Sequence, residues 1–175
     1  MIEAVRRADN DDLAQLSALA AMAVAEQAEA RGGHVWSNRE AIPIPADPVL
    51  ASALGDPEAL LLVGTIDDTV VGYARARIED LRNGERLGVI SDIFVMENAR
   101  EVGVGELLIE TVVAWAVEQG CSGVDATVLP GNRQAKNFFE TARFTARAII
   151  VHHRLVDGGV RSGDDGDAGG ASSDR

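Results

Sequence analysis

Apolar and polar positions alternate in two rhythms along this chain, and they divide it into strands and helices. Ile2–Arg7 reads as a first strand. Asp9, Asn10 or Asp11 can cap a helix running through Ala21, and a second helical stretch, Val24–Ala30, ends at Gly32-Gly33. Leu60–Thr65 and Val70–Ile78 predict an antiparallel pair joined at Asp67-Asp68. The first of these is a near-continuous apolar run, so its strand is covered on both faces. In the second, Tyr73, Arg75 and Arg77 alternate with Ala74 and Ala76, as a half-covered strand does. Leu87–Met96 predicts the central strand, with β-branched and aromatic residues at Ile90, Ile93, Phe94 and Val95. Behind it, Glu106–Glu118 carries apolar residues near a 3.6-residue period and stops at Gly120. A strand over Val124–Leu129, a helix over Arg133–Ala142 and a last strand over Phe144–Val156 complete the pattern.

Two stretches break the rhythm. Residues 31–48 are the least regular, with His34, Trp36 and Arg39 standing out, followed by a short helix over Val49–Leu54. A substrate-side lid and a loop whose Trp36 packs on the core both fit residues 31–48. Residues 157–175 are almost devoid of apolar side chains, so they predict a disordered acidic tail behind a domain of residues 1–156.

Composition narrows the function. The 175 residues carry a formal charge of −12, which argues against a nucleic-acid partner. The single cysteine, Cys121, excludes an intrachain disulfide and reads as a buried thiol at a strand start. No apolar run spans a membrane and no signal peptide is visible, so a cytoplasmic location and no membrane partner are expected. His152 and His153 are adjacent and would face opposite sides of a strand, a poor geometry for shared metal binding; no metal is expected.

The chemistry concentrates in Ser91–Gly105, SDIFVMENAREVGVG. A strand exits into Arg100, Gly103 and Gly105 at R-x-x-G-x-G spacing, and a helix follows. Glycines leave backbone N–H groups open to an anion, and the helix N-terminus adds partial positive charge. The pattern lacks the third glycine of a dinucleotide-binding fingerprint and the Gly-Lys-Ser/Thr of a Walker loop. It resembles the acyl-CoA motif of the GCN5-related N-acetyltransferases. The next segment is similar to that family's following strand and helix, with Asn132, Ala135, Phe139, Glu140 and Phe144 at the pattern's positions.

The resemblance implies a mixed α/β fold, a largely antiparallel sheet with centrally splayed strands flanked by helices. It implies acetyl-CoA as co-substrate and transfer of acetyl to a primary amine of a small molecule or peptide. The thioester and pantetheine would meet backbone groups of Ile93, Phe94 and Val95. The pyrophosphate would meet Arg100, Glu101, Val102, Gly103, Val104, Gly105 and Glu106. Asn132, Ala135 and Phe139 would complete the cofactor side.

This chain departs from the family's pattern in two ways. Phe139 stands where many members carry a tyrosine that protonates the leaving thiolate. Glu101, Val102 and Glu106 make the phosphate loop acidic where the family often has Gly and Lys/Arg. Arg143 also replaces a common glycine at a helix end. Asp92 and Ser91 are the candidate catalytic residues, and a structural role for Asp92 is equally compatible with the sequence. A non-catalytic acyl-CoA-binding or regulatory module of the same fold is the alternative reading, and homodimerisation stays open.

Overall fold

The computed structural model describes residues 1–155. Residues Met1–Thr145 form one compact unit. Its elements, in order, are β1 (Glu3–Arg7), α1 (Leu13–Ala28), α2 (Gly33–Arg39), α3 (Asp47–Gly55), β2 (Ala59–Ile66), β3 (Thr69–Asp80), β4 (Arg86–Val95), α4 (Val104–Glu118), β5 (Cys121–Ala126) and α5 (Arg133–Thr141). The strands form one sheet in the order β1-β2-β3-β4-β5. The first three pairings are antiparallel, and β4–β5 is parallel. A parallel neighbour needs a crossover, and α4 supplies it.

Helices cover both faces, which is why β2 is apolar at nearly every position. Leu60 and Leu62 pack beneath α4 with Leu108, Val112 and Trp115. Leu61 and Val63, pointing the other way, pack beneath α1 and α3 with Leu16, Leu19 and Leu50. Each fully buried leucine contributes about 1.5–3 kcal/mol of transfer free energy. Gly64 lets α4 lie close on the sheet. A Cβ there would stand 2.5 Å from a methyl of Val104.

Helix α1 is continuous, where the sequence predicts two helices. Its buried face, Leu16, Leu19, Ala20 and Ala23, runs through the expected break, and residues 21–24 contain no breaker. It is launched by a capping box: the Asp9 carboxylate accepts from Asp11 N–H, and Asp12 accepts from Asp9 N–H at 2.8 Å. Arg6 then clamps Asp12 through both guanidinium NH2 nitrogens, at 2.7 and 2.8 Å, and holds its carboxyl below the usual carboxylate range. The irregular stretch after α1 contains the short helix α2. Strand β5 begins three residues earlier than its apolar run, at Cys121, which is half-buried rather than buried. The hairpin turn falls at Asp67-Asp68, both at positive φ, as a type I′ turn requires.

The predicted strand over Phe144–Val156 is absent from the described residues; residues 146–155 have no regular secondary structure, with Ile149, Ile150 and Val151 exposed. Alternation alone does not create a strand without a ladder partner. Phe144 is taken by another task. Its N–H bonds Phe139 O at 2.9 Å, Arg143 N–H bonds Glu140 O at 2.9 Å, and the Phe139 and Phe144 rings meet edge-on at 5.3 Å. This is a Schellman cap with its hydrophobic contact. Among the described residues no helix is long and apolar enough to cross a membrane. The tail expected from residue 157 lies outside the described residues.

The cap explains why glycine is common at position 143: Arg143 sits at φ 67°. Replacing Arg143 by Gly should raise stability by about 0.5–1 kcal/mol, because the left-handed conformation costs a side chain more than the unfolded-state entropy of glycine. Chemical denaturation would check this, and an unchanged or lower midpoint would show that the arginine's favourable charge at the helix end outweighs the strain.

Candidate active site

The site begins with a bulge. Across β3–β4 the register runs Arg75↔Asp92 and then Ala76↔Ile90, so Ser91 is an extra residue in β4. One extra residue flips the side-chain alternation. Ile90 joins the core under α4, whereas Asp92 and Phe94 turn to the α1 side beside Arg75 and Tyr73. Pairing between β4 and β5 ends at Ile90↔Ala126, just before the bulge. The two strands part there, and a cleft opens between them, about 270 Å³ in volume.

Strand β4 lines this cleft with Ser91, Asp92, Ile93, Phe94 and Val95. Arg100, Glu101, Gly105 and Glu106 close one end, and Asn132, Ala135 and Phe139 come from the α5 side. Twelve of the residues singled out in the sequence therefore meet in one place. Val102, Gly103 and Val104 do not line it. Gly103 takes φ 103° at the head of α4, and Val104 is driven fully into the core. Arg133 is exposed and also stands outside the cleft lining. Of the loop candidates, Trp36 lines the cleft half-buried, while His34 and Arg39 are exposed and stand apart.

The glycines serve packing as well as ligand access. A Cβ on Gly105 would lie 3.1 Å from the Phe138 ring, so this glycine lets α5 close against α4. No side chain caps α4, which leaves its first-turn amides without a side-chain partner. Arg100 is not a free cation. One guanidinium nitrogen bonds both Glu26 oxygens at 2.7 and 2.8 Å, Nε donates to Val95 O at 2.9 Å, and the group lies over the Phe94 ring. Asn132 caps α5 by accepting from Ala135 N–H at 3.0 Å.

Asp92 is held by Arg75, Nε to Oδ2 at 2.6 Å, with both side chains largely buried. Burial pushes its carboxyl above the ordinary aspartate range, and Arg75 opposes that rise. Three further groups at the cleft were not among the sequence candidates. Glu26 lies three residues beyond the buried Ala23 of α1, Phe138 abuts Gly105, and Tyr73 is the chain's single tyrosine. Tyr73 stands between small neighbours, Gly72 and Ala74, a hint that a large ring needs room there.

Glu101 adopts φ 66°, which accounts physically for the glycine preferred at this place in the motif. Glu101→Gly removes that strain and one negative charge from the loop. It should tighten acetyl-CoA binding about 3–10-fold, on the order of 1 kcal/mol for one nearby charge. Calorimetric titration would measure it, and an equal Kd in the variant would refute an anion site at this loop.

No curated protein matches the chain at a significant level. Solved structures do. The aminoglycoside N-acetyltransferase AAC(6')-Iy, in complex with the bisubstrate analogue CoA-S-monomethyl-acetylneamine, is 19% identical with a TM-score of 0.70, covering 89% of this chain and 99% of that one. A tetramutant of the BH1408 protein from Bacillus halodurans is 20% identical with a TM-score of 0.74, covering 89% and 100%. The aminoglycoside acetyltransferase meta-AAC0020 from an uncultured soil metagenomic sample is 19% identical with a TM-score of 0.62, covering 88% and 95%. At such identities these likenesses show the fold. The sequence of residues 29–144 itself matches the acetyltransferase (GNAT) family, and the chain belongs to that family, with acetyl-CoA as its co-substrate.

Proposed function

We propose that this acetyltransferase delivers acetyl from acetyl-CoA to a primary amine of a cationic small molecule or peptide, with the reactants meeting in the β4–β5 cleft. The observation that carries the reading is the cleft's charge. Its lining contains Glu26, Asp92, Glu101 and Glu106; Arg100 is bound to Glu26 and Arg75 to Asp92, which leaves two carboxylates in excess. An acidic wall attracts an ammonium group and repels a carboxylate.

The residues present fit acetyl-CoA. First-turn amides of α4 offer donors to the pyrophosphate, so the anion is held by backbone dipoles rather than by arginine. The exposed β4 edge from Ile93 to Val95 offers backbone groups to the pantetheine arm. The Asn132 Oδ1 is used by the helix cap, and its amide NH2 remains a donor toward the arm.

Transfer requires an unprotonated amine. With a pKa near 10.4, about one lysine-like amine in two thousand is neutral at pH 7. Asp92 and Ser91 stand at the bulge, where the amine would approach. Ionised Asp92 attracts the ammonium and takes its proton through water or the Ser91 hydroxyl. Its raised pKa makes it a better base than an ordinary aspartate. Phe139 lines the cleft but cannot return a proton to the thiolate, so water does.

A thiol-release assay with acetyl-CoA should show faster turnover of diamines, amino sugars and lysine peptides than of amines carrying a carboxylate. The rate should climb with pH as Asp92 ionises and the amine deprotonates. Phe139→Tyr should raise kcat, by up to about 10²-fold where protonation of the thiolate is limiting. Acetyl-CoA binding with no turnover on any of these amines would instead favour a non-catalytic acyl-CoA-binding module.

A further inference from the structure

The cleft lining holds a group that no contact accounts for. Tyr73 lies in β3 opposite Phe94, is 0% exposed, and lines the cleft. Its hydroxyl is buried without a hydrogen-bond partner among the described residues. Such a hydroxyl destabilises the free protein, and phenylalanine would fill the same space without the penalty. Burial, and then the negative Asp92, push the phenol's pKa up, with Arg75 opposing. The hydroxyl therefore stays protonated and can donate.

The neighbours divide the chemistry. Asp92 accepts a hydrogen bond from Arg75 and, when ionised, attracts an amine. It repels a negative oxygen. Tyr73 offers the opposite character on the same face of the sheet, two residue pairs along the β3–β4 ladder. The phosphate end of the cleft is fixed at Glu101–Glu106. An extended arm running back along β4 from Val95 covers about 3.3 Å per residue, which brings the acyl group past Phe94, the cross-strand partner of Tyr73, toward Asp92.

During transfer the amine nitrogen bonds to the carbonyl carbon and the carbon–sulfur bond breaks. The amine gives up one proton and the departing thiolate gains one. Between these events the carbonyl oxygen carries negative charge, and a preorganised donor in a site shut off from water stabilises it strongly. We propose that the Tyr73 hydroxyl donates a hydrogen bond to the thioester carbonyl oxygen of acetyl-CoA and stabilises the charge that grows there. Tyr73 transfers no proton. The proposal rests on the cleft being the acetyl-CoA site.

The test compares the full wild-type chain with Tyr73→Phe, using acetyl-CoA and CoA as probes. Isotope-edited infrared spectra with carbonyl-labelled acetyl-CoA should place the bound carbonyl stretch at lower wavenumber in the wild type than in the variant. Calorimetry should show acetyl-CoA binding weakened about fivefold by the substitution, with CoA binding unchanged. The variant's Tm should equal or exceed that of the wild type, because an unpartnered hydroxyl has been removed; a merely structural hydroxyl would lower it. An unmoved carbonyl band with an unchanged preference for acetyl-CoA would overturn the role of Tyr73 and leave the cleft reading intact. Failure of the wild type to bind either probe would overturn both.

Discussion

One extra residue in β4 governs the site. Ser91 breaks the β3–β4 register, and everything beyond it changes face. Before the bulge β4 behaves as an inner strand, paired on both sides, with Ile90 packed under α4. After it, pairing with β5 stops, and the strand's backbone edge faces a cleft instead of a neighbour. The bulge costs ladder hydrogen bonds. It returns a bed of backbone donors and acceptors and a row of side chains, Asp92 and Phe94, aimed at the α1 side. A regular strand would have sent Asp92 into the apolar layer under α4, where an ionised carboxylate is not tolerated without a partner.

The Arg75–Asp92 pair depends on that flip. It is a poor source of stability, since desolvation offsets much of its attraction, yet removing either partner alone would strand a buried charge at a cost of about 3–5 kcal/mol. It fixes the cross-strand register at the bulge. It also keeps a negative group at the parting of the strands, which the acidic cleft then reinforces. A structural role for Asp92 is compatible with the proposed chemical one: the partner that orients it also tempers the rise in its pKa.

Much of this was legible in the chain. Strands β2, β3 and β4 followed from apolar runs and alternation, and α4 and α5 from their 3.6-residue period. Of the motif residues from Arg100 to Gly105, Arg100, Glu101 and Gly105 line the cleft. Other features were written in places that pattern does not reach. The bulge lies in an unbroken apolar run, where periodicity cannot reveal a register that only the partner strand defines. The ion pair of Arg100 could not be read from the chain, because its partner, Glu26, is seventy-four residues away. Phe144 looked like the start of a strand because its alternation is strand-like, whereas the helix before it needed a hydrophobic cap. Tyr73 looked like one more alternating position, since nothing in a sequence announces a hydroxyl without a partner.

The pinning of Arg100 bears on the proposal that this loop holds phosphate while carrying two glutamates. If the arginine were to supply the attraction, Glu101 and Glu106 would cancel it. Bound instead to Glu26, Val95 O and the Phe94 ring, Arg100 acts as a strut that sets the course of the loop from β4 into α4. Backbone amides point where that course sends them, and their dipoles do not depend on neighbouring side-chain charge. The same strut ties the phosphate loop to α1, which lines the opposite wall of the cleft through Ala23, Val24 and Gln27. One guanidinium thus joins the end of β4, the loop before α4 and the cleft face of α1.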